Sequence, residues 1–136
     1  MPLQINKELK LSTNSKKNIE GVHPDLISVI DRALEISKVD FGIPSDGGLR
    51  NEKQQNELFK KGLSQLDGYD KKSNHQTGKA FDIFAYVDGK ATWEILYISQ
   101  VACAILQAAS EMGVKIQWGG HWTKFIDTPH FEIKRG

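Results

Sequence analysis

Apolar residues recur along this chain in two rhythms, and the change of rhythm marks the elements. From His23-Pro24 onward, Leu26, Ile27, Ile30, Ala33, Leu34 and Ile36 fall at helical spacing, which predicts a helix ending near Ser37. Pro24 suits its first turn, and Asp25 complements the helix dipole there. Val39 to Ile43 is a short β-leaning run, and Pro44-Ser45-Asp46-Gly47-Gly48 is a turn cluster. A second helix is predicted over Asn51 to Lys61, with Asn51 as N-cap, Leu58 and Phe59 as apolar anchors, and Gly62 as its stop. Residues 63–74 are polar and read as a long surface loop, of the kind that is often functional in a compact domain.

The rhythm then shortens. Ala80 to Tyr86 alternates as one strand, with Phe81, Ile83 and Ala85 on one face and Ala80, Asp82 and Phe84 on the other. Asp88-Gly89 is a turn, and Thr92 is placed to cap a helix from Trp93 to Met112. The apolar face of that helix is Ile95, Ile98, Val101, Ala102, Ile105, Leu106 and Ala109, and Gly113 ends it. Val114 to Trp118 is a strand, Gly119-Gly120 a turn, and His130 to Ile133 the last strand. Residues 1–22 form a polar N-terminal segment in which Thr13-Asn14-Ser15-Lys16-Lys17 reads as loop. The sum is an α+β fold, three helices around a small, mainly antiparallel sheet. We expect one domain spanning 1–136, with its core over residues 24–134.

Composition narrows the function classes. A chain of 136 residues is one domain by the length prior and long enough to bury a real core. A formal net charge of +1 offers no global attraction to nucleic acid or to membranes. No apolar run approaches the ~20 residues of a membrane span, and Met1 to Lys17 lacks the apolar stretch of a signal peptide, so synthesis in a cytoplasm is expected. Cys103 is the single cysteine, which excludes an internal disulfide and a thiolate-based structural zinc site.

Two stretches carry candidate chemistry. Ser73-Asn74-His75-Gln76-Thr77-Gly78-Lys79-Ala80-Phe81-Asp82 offers an imidazole and a carboxylate, and Asp127-Thr128-Pro129-His130-Phe131-Glu132 a second imidazole and two carboxylates. Asp82 interrupts an apolar strand, so it needs a partner to offset desolvation, either a basic side chain or a metal. On the last strand His130 and Glu132 share one face, and Glu132 could orient a ligand histidine. Two imidazoles and a carboxylate would hold one metal ion with a position left open, as catalytic zinc needs. Asp127, three residues before His130, could take a proton from the attacking water, or could merely shape the turn with Thr128-Pro129. Arg50, just before a helix, could stabilise a charged oxygen or hold a substrate carboxylate, or could form a surface salt bridge.

The pattern Ser73-x-His75-x-x-Gly78-x-Ala80-x-Asp82, followed by Asp127-x-x-His130, resembles the zinc D-alanyl-D-alanine carboxypeptidase and dipeptidase superfamily. The run Gly48-Leu49-Arg50, with Gln54-Gln55 and Gly62, resembles its L-alanyl-D-glutamate peptidase branch, which includes phage endolysins. The resemblance implies the α+β fold shared with hedgehog signalling domains. It implies one zinc ion per chain on His75, Asp82 and His130, with Asp127 as acid/base and Arg50 as electrostatic stabiliser. Ser73, Gln55, Glu132, His121 and Trp118 become candidates for supporting or substrate contacts. Relatives often carry Trp-Gly-Gly-Asp-Trp where this chain has Trp118-Gly119-Gly120-His121-Trp122, so His121 could adjust the site or act as a stray ligand. Thr123-Lys124-Phe125-Ile126 is short and not acidic, which speaks against the calcium-binding insertion of some relatives.

The implied activity is hydrolysis of the peptidoglycan stem peptide between L-alanine and D-glutamate, with Arg50 meeting the glutamate carboxylate. The implied setting is phage lysis: a monomer accumulating in the host cytoplasm and reaching the wall after holin-type release. Two other readings compete, a D,D-carboxypeptidase on the same scaffold and a non-catalytic, zinc-stabilised wall-binding module. Asp127 speaks against the second, because ligation alone would not need it.

Overall fold

The computed structural model describes residues 9–134. Among them are four α-helices: α1 (Thr13–Asn18), α2 (Pro24–Ile36), α3 (Glu52–Lys60) and α4 (Ile95–Met112). Six short strands accompany them: β1 (Asp40–Gly42), β2 (Ala80–Asp82), β3 (Phe84–Val87), β4 (Lys90–Thr92), β5 (Ile116–Trp118) and β6 (His130–Ile133). The α+β expectation holds, but the single sheet does not. The strands form two antiparallel three-stranded sheets, ordered β1-β3-β4 and β2-β6-β5.

The core lies where α2 packs on α4 and both sheets close against the pair. Leu26, Val29, Ile30 and Ala33 of α2 meet Ile98, Val101, Ala102 and Ile105 of α4, with Phe41, Phe81, Ile83, Ala85 and Phe131 from the sheets. Helix α4 is by length and composition apolar enough to cross a membrane, and its long buried face is what the core demands of it. Its start differs from expectation. Glu94 stands at the N-cap, Thr92 Oγ1 accepts the Glu94 N–H at 3.2 Å, and Ile95 is exposed rather than part of the core face.

The run expected as one strand, Ala80 to Tyr86, is broken at Ile83. The Ile83 N–H leaves the ladder and donates to the Pro129 carbonyl at 3.0 Å, and the chain passes there from one sheet to the other. Alternation continues through the break because both sheets turn the same residues, Phe81, Ile83 and Ala85, into one core. Asp88 and Gly89 both take positive φ, and the hairpin they make adds β4, which polarity had hidden.

The polar segment before residue 22 is the larger correction, although residues 1–8 of that expectation lie outside the described residues. Thr13 to Lys17 belongs to α1, capped by Ser12. Ser15 is buried and its Oγ accepts the Ile43 N–H at 2.9 Å; Asn18 Nδ2 donates to the Ile43 carbonyl at 2.8 Å. Leu11, Ile19 and Val22 reach the core beside it. Helix α3 starts as expected, with a full capping box between Asn51 and Gln54. Its anchoring is inverted, however: Phe59 is exposed and the buried residue is Gln55.

Candidate metal centre and cleft

Three elements converge on one point. His75 sits in a single 3-10 turn, Asn74–Thr77, opened by Ser73. Ser73 Oγ accepts the His75 N–H at 3.2 Å, and the Ser73 N–H donates to Gln76 Oε1 at 2.9 Å. Asp82 ends β2 and His130 begins β6, and the antiparallel register sets these two directly opposite each other. Short strands set Asp82 beside His130 by main-chain pairing, and the capped turn brings the His75 imidazole to them.

The outward ring nitrogens are occupied. His75 Nδ1 lies 2.9 Å from the Gly48 carbonyl, and His130 Nε2 lies 2.8 Å from Glu132 Oε1. A carbonyl and a carboxylate only accept, so both nitrogens carry protons and both rings are held in one tautomer. Glu132 is itself held by Asn74 Nδ2 at 2.9 Å. The inward atoms, His75 Nε2, His130 Nδ1 and Asp82 Oδ1, are 3.2, 3.3 and 3.0 Å apart. Lone pairs facing lone pairs at such distances require a cation between them.

Zinc fits that requirement. Bonds of about 2.0–2.2 Å in a tetrahedron put neighbouring ligand atoms about 3.3–3.6 Å apart. The chain's three donor atoms span 3.0–3.3 Å before any relaxation, and they are the imidazole and carboxylate donors zinc prefers. Without metal a proton takes the cation's place. Burial pulls the His130 imidazolium down, but its bonds to Asp82 and Glu132 outweigh that and push its pKa up to about 9. Burial likewise opposes ionisation of Asp82, yet the charges and hydrogen bonds of His75 and His130 hold it well below the usual carboxylate range.

Arg50 is buried, and its role is specific. Nη2 donates to Asp82 Oδ2 at 3.0 Å, Nη1 to Gln55 Oε1 at 3.0 Å and Nε to the Asp46 carbonyl at 2.7 Å. Gln55 in turn donates to Ser64 Oγ and to the Leu66 carbonyl, both at 2.9 Å. The guanidinium fork therefore fixes the free oxygen of Asp82 and ties it, through Gln55, to the long 63–74 loop. This is not the surface salt bridge weighed from the sequence.

Asp127 faces the same cleft. The turn to His130 is closed by main chain: the His130 N–H donates to the Asp127 carbonyl at 3.2 Å, and the Asp127 N–H to Gly119 at 3.0 Å. A side chain at residue 119 would collide with the Asp127 carbonyl, so Gly119 is what lets this turn close. The Asp127 carboxylate takes no hydrogen bond among the described residues, so it does not form the Asx turn. Burial first, then the nearby charge of Asp82, raises its pKa against the pull of His130, His75 and Arg50.

The cleft measures about 420 Å³ and joins the metal group to Asp46, Leu58, Leu63, Leu66, Lys72, Trp122, Lys124 and Phe125. His121 and Trp118 are not in its lining. His121 is exposed, with its ring edge-on to Trp118 at 4.8 Å, and Trp118 Nε1 donates to the Thr128 carbonyl at 2.6 Å. Trp118 thus supports the Asp127 turn from behind. Three contributors escaped the sequence reading. Trp122 packs over His130 with ring centroids 5.3 Å apart, and its signal was the second tryptophan of the Trp-Gly-Gly-His-Trp run. Asn74, which holds Glu132, lay unread inside the first motif. The Gly48 carbonyl is a main-chain atom, and no side-chain pattern announces it.

Comparison with known proteins places this geometry. Residues 7–136 match the family model for phage L-alanyl-D-glutamate peptidase. The chain is 39% identical over 128 residues to the L-alanyl-D-glutamate peptidase of Escherichia phage T5, spanning 93% of this chain and 90% of that protein. It is 30% identical over 97 residues to the peptidoglycan L-alanyl-D-glutamate endopeptidase CwlK of Bacillus subtilis, spanning 63% of this chain and 57% of that one. The crystal structure of the Serratia marcescens L-Ala D-Glu endopeptidase ChiX is similar with a TM-score of 0.82 at 39% identity, covering 94% of this chain and 92% of that one. Likeness of sequence and of fold over nearly the same residues leads to one assignment: the chain belongs to the phage L-alanyl-D-glutamate peptidase family.

Proposed function

We propose that this protein is a zinc peptidase that hydrolyses the L-alanyl-D-glutamate bond of the peptidoglycan stem peptide. The observation that carries the reading is a partly buried carboxylate, Asp127, free of hydrogen bonds among the described residues and facing the same cleft as His75, Asp82 and His130. A ligand set alone would suit a binding module; a base poised beside it suits hydrolysis. The names of the relatives favour the L-alanyl-D-glutamate bond over the D,D-carboxypeptidase alternative on the same scaffold.

His75, Asp82 and His130 would hold the zinc, which when bound polarises a carbonyl and lowers the pKa of a water to about 7. Asp127 takes the proton of the attacking water and returns it to the leaving amine. Its raised pKa suits both halves of that task, because a base too weak would not accept and one too strong would not return. Glu132 and Gly48 keep the two imidazoles from turning, and Arg50 keeps Asp82 in place while adding its charge to the cleft wall. Phage lysis supplies the biological setting: a single-domain monomer made in the host cytoplasm and released to the wall by a holin-type step.

Isolated sacculi treated with the zinc-loaded protein should yield fragments with new amino groups on glutamate and glycan strands that keep L-alanine, read by mass analysis. Release of free D-alanine without new glutamate N-termini would promote the carboxypeptidase, and intact sacculi would promote the binding module.

A further inference from the structure

The glutamate residue of the proposed substrate brings a charge that the cleft must meet. Glutamate has two carboxyl groups and the peptide continues through one of them, so the other stays free and anionic close to the scissile bond. Four acidic side chains line the cleft, Asp46, Asp82, Asp127 and Glu132, and three permanent cations, Arg50, Lys72 and Lys124. Asp82 is engaged by Arg50 and the two imidazoles, and Glu132 by His130 and Asn74. Asp46 and Asp127 remain without an ion-pair partner among the described residues and would repel a second anion.

Arg50 was the sequence candidate for that carboxylate. Each of its three nitrogens already donates, to Asp82, Gln55 and the Asp46 carbonyl, and its side chain is buried. Two of its five N–H groups are left over, but the fork is fixed by these three partners, so swinging it fully onto a substrate carboxylate would give up its bond to Asp82. The lysines are in the opposite condition. Both are exposed, both line the cleft, and neither has an ion pair among the described residues. They come from the two segments bordering the metal group: Lys72 directly precedes Ser73, which holds the His75 turn, and Lys124 stands three residues before Asp127. Phe125, next to Lys124, also lines the cleft and takes φ 51, a left-handed conformation costly for a bulky side chain. The corner carrying Lys124 is thus held in a particular shape at the cleft wall.

We propose that Lys72 and Lys124 form the subsite for the free carboxylate of the glutamate residue and so set the preference for an acidic residue after the scissile bond. The inference rests on the peptidase reading above and adds to it the residues that recognise the substrate's charge. An ammonium on a flexible stem suits a carboxylate that must be admitted and released at each turnover, whereas the buried fork of Arg50 suits a permanent partner.

The test pairs a change in the protein with a change in the substrate. An N-acetyl-L-alanyl-D-glutamyl peptide, prepared in both linkage isomers, is compared with its counterpart carrying an amide in place of the free carboxyl. Zinc-loaded wild type should favour the acid by about tenfold in kcat/KM, the product of roughly threefold from each exposed lysine pair. In the double variant Lys72→Gln, Lys124→Gln the acid-to-amide ratio should fall towards one, and the loss on the acid should appear in KM rather than kcat. Added salt should erode the wild-type preference and leave the ratio of the variant flat. A double variant that keeps the full preference overturns the subsite, as does a wild type that cleaves acid and amide equally well. A wild type that cleaves neither peptide nor sacculi overturns the peptidase reading itself, and the subsite falls with it.

Discussion

Zinc entering the His75–Asp82–His130 group must displace a proton, and the count can be worked from the structure. With its pKa pushed up to about 9 in the metal-free protein, His130 is almost fully protonated at neutral pH. Its inward Nδ1, 3.0 Å from Asp82 Oδ1, is the atom that has to bind metal, so the proton there must leave. We expect release of about one proton per zinc from this group across the neutral range, before any contribution from bound water, whose pKa falls to about 7 on the metal. Proton competition weakens apparent affinity about tenfold for each pH unit below 9, so binding at neutral pH is about 100-fold weaker than the site's limit, or about 3 kcal/mol.

The sign for folding runs the same way. His130 has a folded pKa above its unfolded value of 6.5, so it stabilises the metal-free protein fully below that value. That contribution is lost as pH rises towards about 9. In the zinc form the imidazole stays neutral, so the gap in Tm between zinc-loaded and metal-free protein should widen with pH. Calorimetric titration of chelator-stripped protein with zinc, in buffers of different ionisation enthalpy, counts the protons directly. Zinc binding without proton release, or an apparent affinity that is flat from pH 6 to 8, would refute the reasoning.

The roles of the surrounding residues separate by readout. Asp127→Asn should keep zinc and fold while losing ~10²–10⁴ in rate, the usual contribution of a general base. Its parent should lose activity as pH falls through the raised pKa of Asp127, and the variant's residual activity should lack that acid limb. Loss of zinc in the variant would instead make Asp127 a ligand. Arg50→Lys cannot reproduce three bonds in one plane, so zinc affinity should fall about 10–100-fold along with kcat, the cost of loosening a group that orients a metal ligand. Unchanged zinc affinity with a raised KM would return Arg50 to the role of substrate clamp.

Much of this protein was determined by its sequence alone, because the signals concerned are local. Helix α2 and the core face of α4 are written in spacing, the α3 cap in Asn51 and Gln54, and the α4 end in Gly113. Candidate residues for the site stood out because a carboxylate in an apolar strand needs a partner, and because the two motifs together resemble a known family's pattern. What the sequence could not contain was decided by tertiary contact. Helix α1 is polar by composition and exists because Ser15 and Asn18 bond Ile43, twenty-five or more residues away. Gly48 lies against the Asn18 carbonyl so closely that a side chain would collide, and that approach sets the segment whose own carbonyl orients His75. The break at Ile83 is invisible to periodicity, since both strands bury one face in one core. Arg50 reads as a substrate or surface residue in one dimension, and only its hydrogen bonds in the folded chain, to Gln55 of α3 and Asp82 of β2, show where its fork is engaged. Residue type and spacing specify which groups a site can use; the direction each polar atom faces depends on partners far along the chain, and folding alone brings those together.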